Sequence, residues 1–378
     1  FRRVLFRSSL AFDGGNAFIG GTKFLGLGNL DATPWDPAAA LIPAVLFMAF
    51  QATFAIITPA LISGAIVERM RFIPYVLFLV IWSILVYSPV CHWVWQANGW
   101  LFALGALDFA GGTVVHINAA VAALVAALVV GRRKDYGKQA LIPHNVPLVL
   151  LGAGLLWFGW FGFNAGSALG ANGIASYAFV ATFLAPAATL VVWAILDVLR
   201  TGKITGVGAA TAIVVGLVAI TPAAGYVTPA SALMLGAIAA FPSYFAILFR
   251  AKTSLDDSLD VVAAHGLGGI TGALLTGIFA SKAVNPAVVN EVGPQLIIQV
   301  KAVLATIGYS AVMSFVILKA ISLIMPLTAS DSEQSSGMDI TQHGEEAYVN
   351  GDGTVLVLES EVKMNQASAS TVAKPMGA

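Results

Sequence analysis

The chain has 378 residues, of which 58% are hydrophobic and 10% charged, with 19 basic residues against 19 acidic ones, and its mean hydropathy is +0.87. A soluble globular domain carries roughly 25% charged residues, so a water-soluble fold is excluded, and the missing basic patch excludes a nucleic-acid surface. Cys91 is the single cysteine, which rules out an intrachain disulfide and a thiolate metal centre.

Apolar stretches of about 20 residues recur along the sequence, the length a helix needs to cross a bilayer. They predict an all-α polytopic membrane protein rather than a barrel. Nine spans are predicted, near residues 41–65, 72–90, 112–131, 147–167, 176–199, 207–222, 231–250, 262–281 and 296–326. Loops after odd-numbered spans carry Arg69 and Arg71, then Arg132, Arg133, Lys134 and Lys138, then Arg200 and Lys203, then Arg250 and Lys252. Loops after even-numbered spans carry almost no basic residue, Lys282 being the exception. Basic loops stay in the cytoplasm, so the first of these spans enters from outside and the C-terminus lies inside. Residues 1–326 form the membrane domain. Residues 327–378 form a cytoplasmic tail with eight of the 19 acidic residues, partly disordered by composition. One ordered block stands in it, "GMDITQHGEEAY", from Gly337 to Tyr348.

In chain order, the first span carries Phe50 and Phe54 one helical turn apart, with Gln51 beside them. Trp93, Trp95 and Trp100 fall in the outer loop after the second span. They read either as an interfacial aromatic belt or as a cation–π site. Asp108 precedes the third span as a helix N-cap, or as a fixed negative charge by an outer vestibule; the capping role is favoured. Asp260 carries the same ambiguity before the eighth span. His92 and His144 lie near span ends, where water reaches, and no site is read there.

An ionisable residue inside a span is costly and marks function by default. His116 and His265 are the two cases. His116 lies eight residues after Asp108, about 12 Å along a helix, and His265 five residues after Asp260, about 7–8 Å. Their helices run in opposite directions. The residues three, four and seven beyond His116 are Ala119, Ala120 and Ala123; beyond His265 they are Gly268, Gly269 and Gly272. Such small residues let helices pack closely. The sequence leaves open a structural histidine bonded to a carbonyl. With both rings in the same setting, a pore-facing pair is the stronger reading, with nitrogens about 2.7–3.2 Å apart. The fourth span places Trp160, Phe163, Asn164 and Ser167 on one face, and Gly159, Gly162 and Gly166 on a second, closely packed face.

"LDFAGGTVVHINAAVAAL" resembles the signature of the ammonium transporter family (the Amt/MEP group, related to the Rhesus proteins). "FQATFAIITPALISGAIVERMRF", "GWFGFNAGSA", "VVAAHGLGGITGALLTGIFA" and the tail block resemble it too, from about Ser9 to Tyr348. The resemblance implies an eleven-helix fold with two inverted five-helix repeats, assembled as a homotrimer with one pore per subunit. It implies recruitment of ammonium by Trp95 and Ser167 beside Phe54, a gate of two stacked phenylalanines, Phe54 and Phe163, and a pore lined by His116, His265 and Trp160. Asp108 would be the buried aspartate under the outer site. The tail residues Gly337, Asp339, Thr341 and Tyr348 would belong to a regulatory block that couples subunits, and a PII-type signalling protein would dock at that face. "SLAFDGGNAFIGGTKFLGLGNL" resembles the end of the family's second helix, so the first helix and most of the second are expected to be missing, with "FRRVLFRS" in their place. The expected function is transport of ammonium across the cell membrane, without enzymatic chemistry, cofactor or metal. Two other readings are a sensor that binds ammonium without net flux, and a membrane haem protein with His116 and His265 as axial ligands.

Overall fold

The computed structural model describes residues 9–36, 40–138 and 142–347. Tyr348 and the rest of the tail lie outside the described residues. Among the described residues, eight helices are long and apolar enough to cross a membrane. Residues 9–12 are helical, and the further α-helices of the membrane unit among the described residues are α1 (Ala44–Ile62), α2 (Phe72–Trp82), α3 (Ser88–Trp95), α4 (Trp100–Ala103), α5 (Asn118–Val130), α6 (Val146–Ala165), α7 (Gly173–Thr201), α8 (Gly206–Ile220), α9 (Pro229–Arg250), α10 (Gly268–Phe279) and α11 (Val292–Ser322). Three π-helical segments interrupt them. Ser83–Tyr87 joins α2 to α3, Gly112–Ile117 leads into α5, and Val262–Leu267 leads into α10.

A helix stands at each of the nine predicted positions, eight of them long and apolar enough to cross a membrane, with four differences. Residues 41–43 belong to a short antiparallel pair, β1 (Pro34–Asp36) with β2 (Ala40–Pro43), because Pro43 starts α1 by fixing an extended-to-helical step. The second span runs on through α3 to Trp95, so Trp93 and Trp95 are helical rather than in a loop. The sixth predicted span is α8, only 15 residues, about 22 Å long at 1.5 Å per residue. It is shorter than the ~30 Å hydrocarbon layer. The last span is shifted to Val292–Ser322, four residues earlier than expected.

Side-chain caps set several helix starts. Asn145, Asn172, Thr205 and Thr228 accept from the amides of Leu148, Ala175, Gly208 and Ser231, each cap contributing about 1 kcal/mol. Close contacts then fix the bundle. A Cβ at Gly272 would sit 2.1 Å from the Ala219 carbonyl, and one at Gly236 2.1 Å from that of Ala185, so α10 and α9 press backbone to backbone on α8 and α7. Helix α11 packs on both α5 and α10 through a buried polar stripe. Gln299 donates to the carbonyls of Leu107 and Ala273 at 2.8 and 2.9 Å, Ser310 donates to that of Asn118, and Trp82 donates to Ser314. The glycine face of α6 is different from expectation. Among the described residues, a Cβ added at Gly159 or Gly162 would meet nothing within 4 Å, and only one at Gly166 would meet a neighbour, the ring of Phe50. The helix lies at the perimeter of the chain, with Leu151, Leu155 and Phe158 exposed.

At one end of the bundle the basic loops are tied together. Arg69 is fully buried and donates to the carbonyls of Gly131, Ala65 and Asp256 and to the Ser258 hydroxyl. Arg133 clasps the Asp256 carboxylate through Nε and Nη2 at 3.0 and 2.7 Å and reaches Glu68 at 2.6 Å. Burial pushes the Asp256 carboxyl up, but the Arg133 hydrogen bonds and the two guanidiniums hold it below its ordinary range. These arginines look in the sequence like topology signals; they also clamp three loops.

The chain divides after Thr328. The second unit holds α12 (Asp331–Ser336) and α13 (Met338–His343). Ser330 and Glu333 form a capping box at the start of α12. Thr341 donates its hydroxyl to the Gly337 carbonyl at 2.8 Å, and Asp339 accepts from the amides of Ile340 and Ala347. Those amides, Ala347 first, hold the Asp339 carboxyl below its ordinary range.

Candidate functional site

A cavity of about 450 Å³ opens at the end of the bundle away from the arginine clamp, lined by Trp95, Ser167, Phe54, Asp108, Gln51 and Tyr226 among others. Trp95 comes from the last turn of α3. Its indole N–H donates to the Asp108 carbonyl at 2.8 Å, which leaves the ring to line the cavity. Ser167 donates to the Phe163 carbonyl at 2.9 Å, and its hydroxyl oxygen keeps acceptor capacity. Burial, with the charge of Asp108, pushes the Tyr226 phenol up, so it stays a neutral donor at the wall.

Phe54 closes the floor of this cavity. Its ring meets Trp95 edge-on at 5.4 Å and lies 4.5 Å from Phe163, tilted by 45°. The pair is in contact but tilted rather than stacked in parallel, and Phe50 packs edge-on against Phe54 at 5.0 Å. Beneath Phe163 come Trp160 at 5.2 Å and His116 at 6.2 Å, and His116 stacks on Trp160 at 5.5 Å. The indole N–H of Trp160 donates to the Thr221 hydroxyl, so its face is free for the imidazole.

The Nδ1 atoms of His116 and His265 are 3.1 Å apart, inside the separation expected from the sequence. A hydrogen bond between them needs one Nδ1 protonated and the other bare, which fixes opposite tautomers in the neutral rings. His116 Nε2 is buried without a partner. His265 lines a second cavity of about 270 Å³ with Leu259, Ala153 and Thr211. A column of aromatic and imidazole rings therefore separates two cavities at opposite ends of the bundle.

Both histidines sit on π-helical segments. The His116 amide bonds the Gly111 carbonyl, five residues back, and this wider turn is frequent at functional sites. A carboxylate holds each turn. Asp108 accepts from the amides of Gly111, Gly112, Thr113 and Val114 at 2.8, 2.6, 2.8 and 3.2 Å, and from the Thr113 hydroxyl. Gly111 is left-handed at φ +117°, which bends four amides onto one acceptor. The partner before His265 is not Asp260 but Asp257, which accepts from Val261 and Val262 at 3.0 and 2.8 Å. Asp260 instead bonds Arg250 at 2.5 Å. Equal spacing was the available signal: Asp108 and Asp257 each stand eight residues before a histidine.

Other expectations change with the packing. Trp93 is buried, donates to the Phe18 carbonyl and packs on Tyr309 and Trp100, so it joins neither a belt nor a cation site. His92 is fully buried, not water-exposed, with its ring nitrogens 3.0 and 2.7 Å from the carbonyl oxygens of Ala11 and Asn16. Tyr226 and Asn285 line the first cavity without a sequence pattern that marks them, beside Gln51, which the sequence shows only as a neighbour of Phe50 and Phe54. Gly337, Asp339 and Thr341 stand in the second unit.

The model of the Ammonium Transporter Family matches residues 8–348. The chain is 47% identical over 350 residues to the ammonium transporter of Bacillus subtilis, covering 91% of this chain and 86% of that protein. It is 52% identical over 309 residues to the ammonium transporter of Aquifex aeolicus, covering 81% and 72%. Its fold superposes on the crystal structure of Saccharomyces cerevisiae Mep2 with a TM-score of 0.81 at 36% identity, over 87% of this chain and 77% of the other. A structure titled "Sensor Amt Protein" gives 0.80 at 30% identity, over 90% and 87%.

Proposed function

The chain belongs to the ammonium transporter family, and from that premise we propose that it captures ammonium in the Trp95 cavity and passes it as ammonia along the column of rings. The supporting observation is the unbroken sequence of outer cavity, Phe54, Phe163, paired imidazoles and inner cavity. A full charge at the centre of a membrane helix costs about 2.5–3.5 kcal/mol on insertion scales, so a dry path rejects a bare cation and admits neutral ammonia. Ammonium would bind by the Trp95 ring and the Ser167 oxygen, lose a proton, and cross Phe54 and Phe163. The bare Nε2 of one imidazole and the N–H of the other supply an acceptor and a donor in an apolar tube, with Trp160 holding the upper ring.

In this reading the cavity faces outward, the arginine clamp and the tail lie in the cytoplasm, and the protein is a homotrimer in the cell membrane. The tail block around Gly337, Asp339, Thr341 and Tyr348 regulates flux, through neighbouring subunits or a PII-type protein. A sensor role has one observation in its favour, the similarity to the structure titled "Sensor Amt Protein". The haem reading does not fit the geometry. Two axial metal–imidazole bonds of about 2 Å each need roughly 4 Å between nitrogens, against the 3.1 Å present.

The recruitment step has a direct test. Trp95→Leu is expected to raise the ammonium concentration for half-maximal uptake roughly two- to thirtyfold, the equivalent of a cation–π contact of about 0.5–2 kcal/mol, with assembly unchanged. An unaltered concentration dependence would remove Trp95 from the site.

A further inference from the structure

We propose that Asp257 is the positioning residue of His265, and that its protonation is how acidification at the arginine-clamp end lowers flux. The inference rests on reading His265 as a pore residue. Asp257 and Asp108 occupy equivalent places, each eight residues before a histidine and each bonded to the amides that open a π-helical turn. The two carboxylates differ in strength of hold. Asp108 accepts from four amides and a hydroxyl; Asp257, fully buried, accepts from two amides among the described residues. One oxygen serves each amide, so a proton on either oxygen sets an O–H against an N–H and leaves one amide unmatched.

The backbone on either side of Asp257 cannot follow. Arg69 bonds the Asp256 carbonyl and Arg133 holds the Asp256 carboxylate, while the Leu259 amide bonds the Gly64 carbonyl. The soft element is therefore the π turn after Leu259, which carries His265. A π turn that relaxes to α register rotates the downstream side chains by roughly 100° about the helix axis, enough to take His265 off His116. Arg250 at the end of α9, Arg69 after α1, and Asp260 and the Arg133-paired Asp256 on its own loop are the charges around Asp257. Burial outweighs the two amide bonds and raises its carboxyl to about 6. Above that pH the carboxylate holds both amides; below it the hold is lost. Leu259, two residues on, is exposed and lines the inner cavity, so the path for a proton is short.

The test uses the full chain in vesicles with the outer cavity facing out, radiolabelled methylammonium as the probe, and the lumen set between pH 8 and pH 5. Wild-type uptake is expected to fall roughly tenfold as the lumen is acidified, the equivalent of one charge-assisted hydrogen bond, with its midpoint near the Asp257 value. D257N is expected to give the low rate at every lumenal pH. In parallel, the imidazole ¹⁵N resonances of labelled protein should lose the coupled His116–His265 signature in D257N. Wild-type rate, pH profile and ¹⁵N signature in D257N would overturn the proposal. A wild-type protein that moves no probe, with the ¹⁵N signature still lost in D257N, would reject transport and leave the positioning role intact. Should D257N fail to fold, D257E restores a carboxylate and is expected to keep a pH-dependent rate and the paired signature; a flat profile with the signature intact would overturn the proposal.

Discussion

Asp108→Ala is expected to abolish uptake and to reduce the yield of folded protein. The carboxylate satisfies four amides and one hydroxyl at the opening of the His116 turn. Each buried donor left without an acceptor costs about 1–3 kcal/mol, so the sum is a large part of the ~5–15 kcal/mol that holds a folded domain together. The same substitution releases the backbone to which Trp95 is bonded, so outer cavity and pore fail together. Thermal denaturation in detergent and isotope uptake in vesicles measure the two effects. An Asp108→Ala protein with a native melting temperature and native uptake would show that the turn is held by something else.

The second large effect is on selectivity. His116→Asp with His265→Asp is expected to let potassium compete for the pathway. Two carboxyl groups at this separation share a proton and leave about one negative charge in the column. At 4 Å and an effective dielectric of ~20 such a charge attracts a cation by roughly 4 kcal/mol. That matches the ~2.5–3.5 kcal/mol that otherwise keeps a bare ion out. Potassium inhibition of methylammonium uptake, and a potassium current, are the readouts. Complete exclusion of potassium in an active double variant would move selectivity to Phe54 and Phe163.

The long apolar helices were legible because twenty apolar residues between charged loops have few other outcomes in a chain this hydrophobic. The histidine pair was legible because each ring interrupts a face of alanine or glycine. The π turns beneath them were not: six residues are too few for a changed helical period to show in a pattern of small apolar side chains. That hidden register explains the choice of Asp260 over Asp257. A straight helix favours the nearer acid, whereas Asp260 sits at φ +56° and turns toward Arg250. In the sequence Arg69 and Arg133 show only as charges that orient loops, since the carbonyls and the Asp256 carboxylate they bind come from distant segments. The vestibule residues Gln51, Tyr226 and Asn285 come from three separate parts of the chain and share a wall only after folding. Gly159 and Gly162 misled in the other direction, because small residues announce a close contact in sequence and here a Cβ on either would meet none among the described residues.

Whether the column conducts, or the outer cavity only senses, is decided by uptake of radiolabelled methylammonium into vesicles holding the purified protein. Conduction predicts saturable uptake that ammonium inhibits and potassium does not, and that Trp95→Leu shifts to higher concentration. Ammonium binding at the outer cavity with no uptake above that of empty vesicles would contradict it and make the protein a receptor.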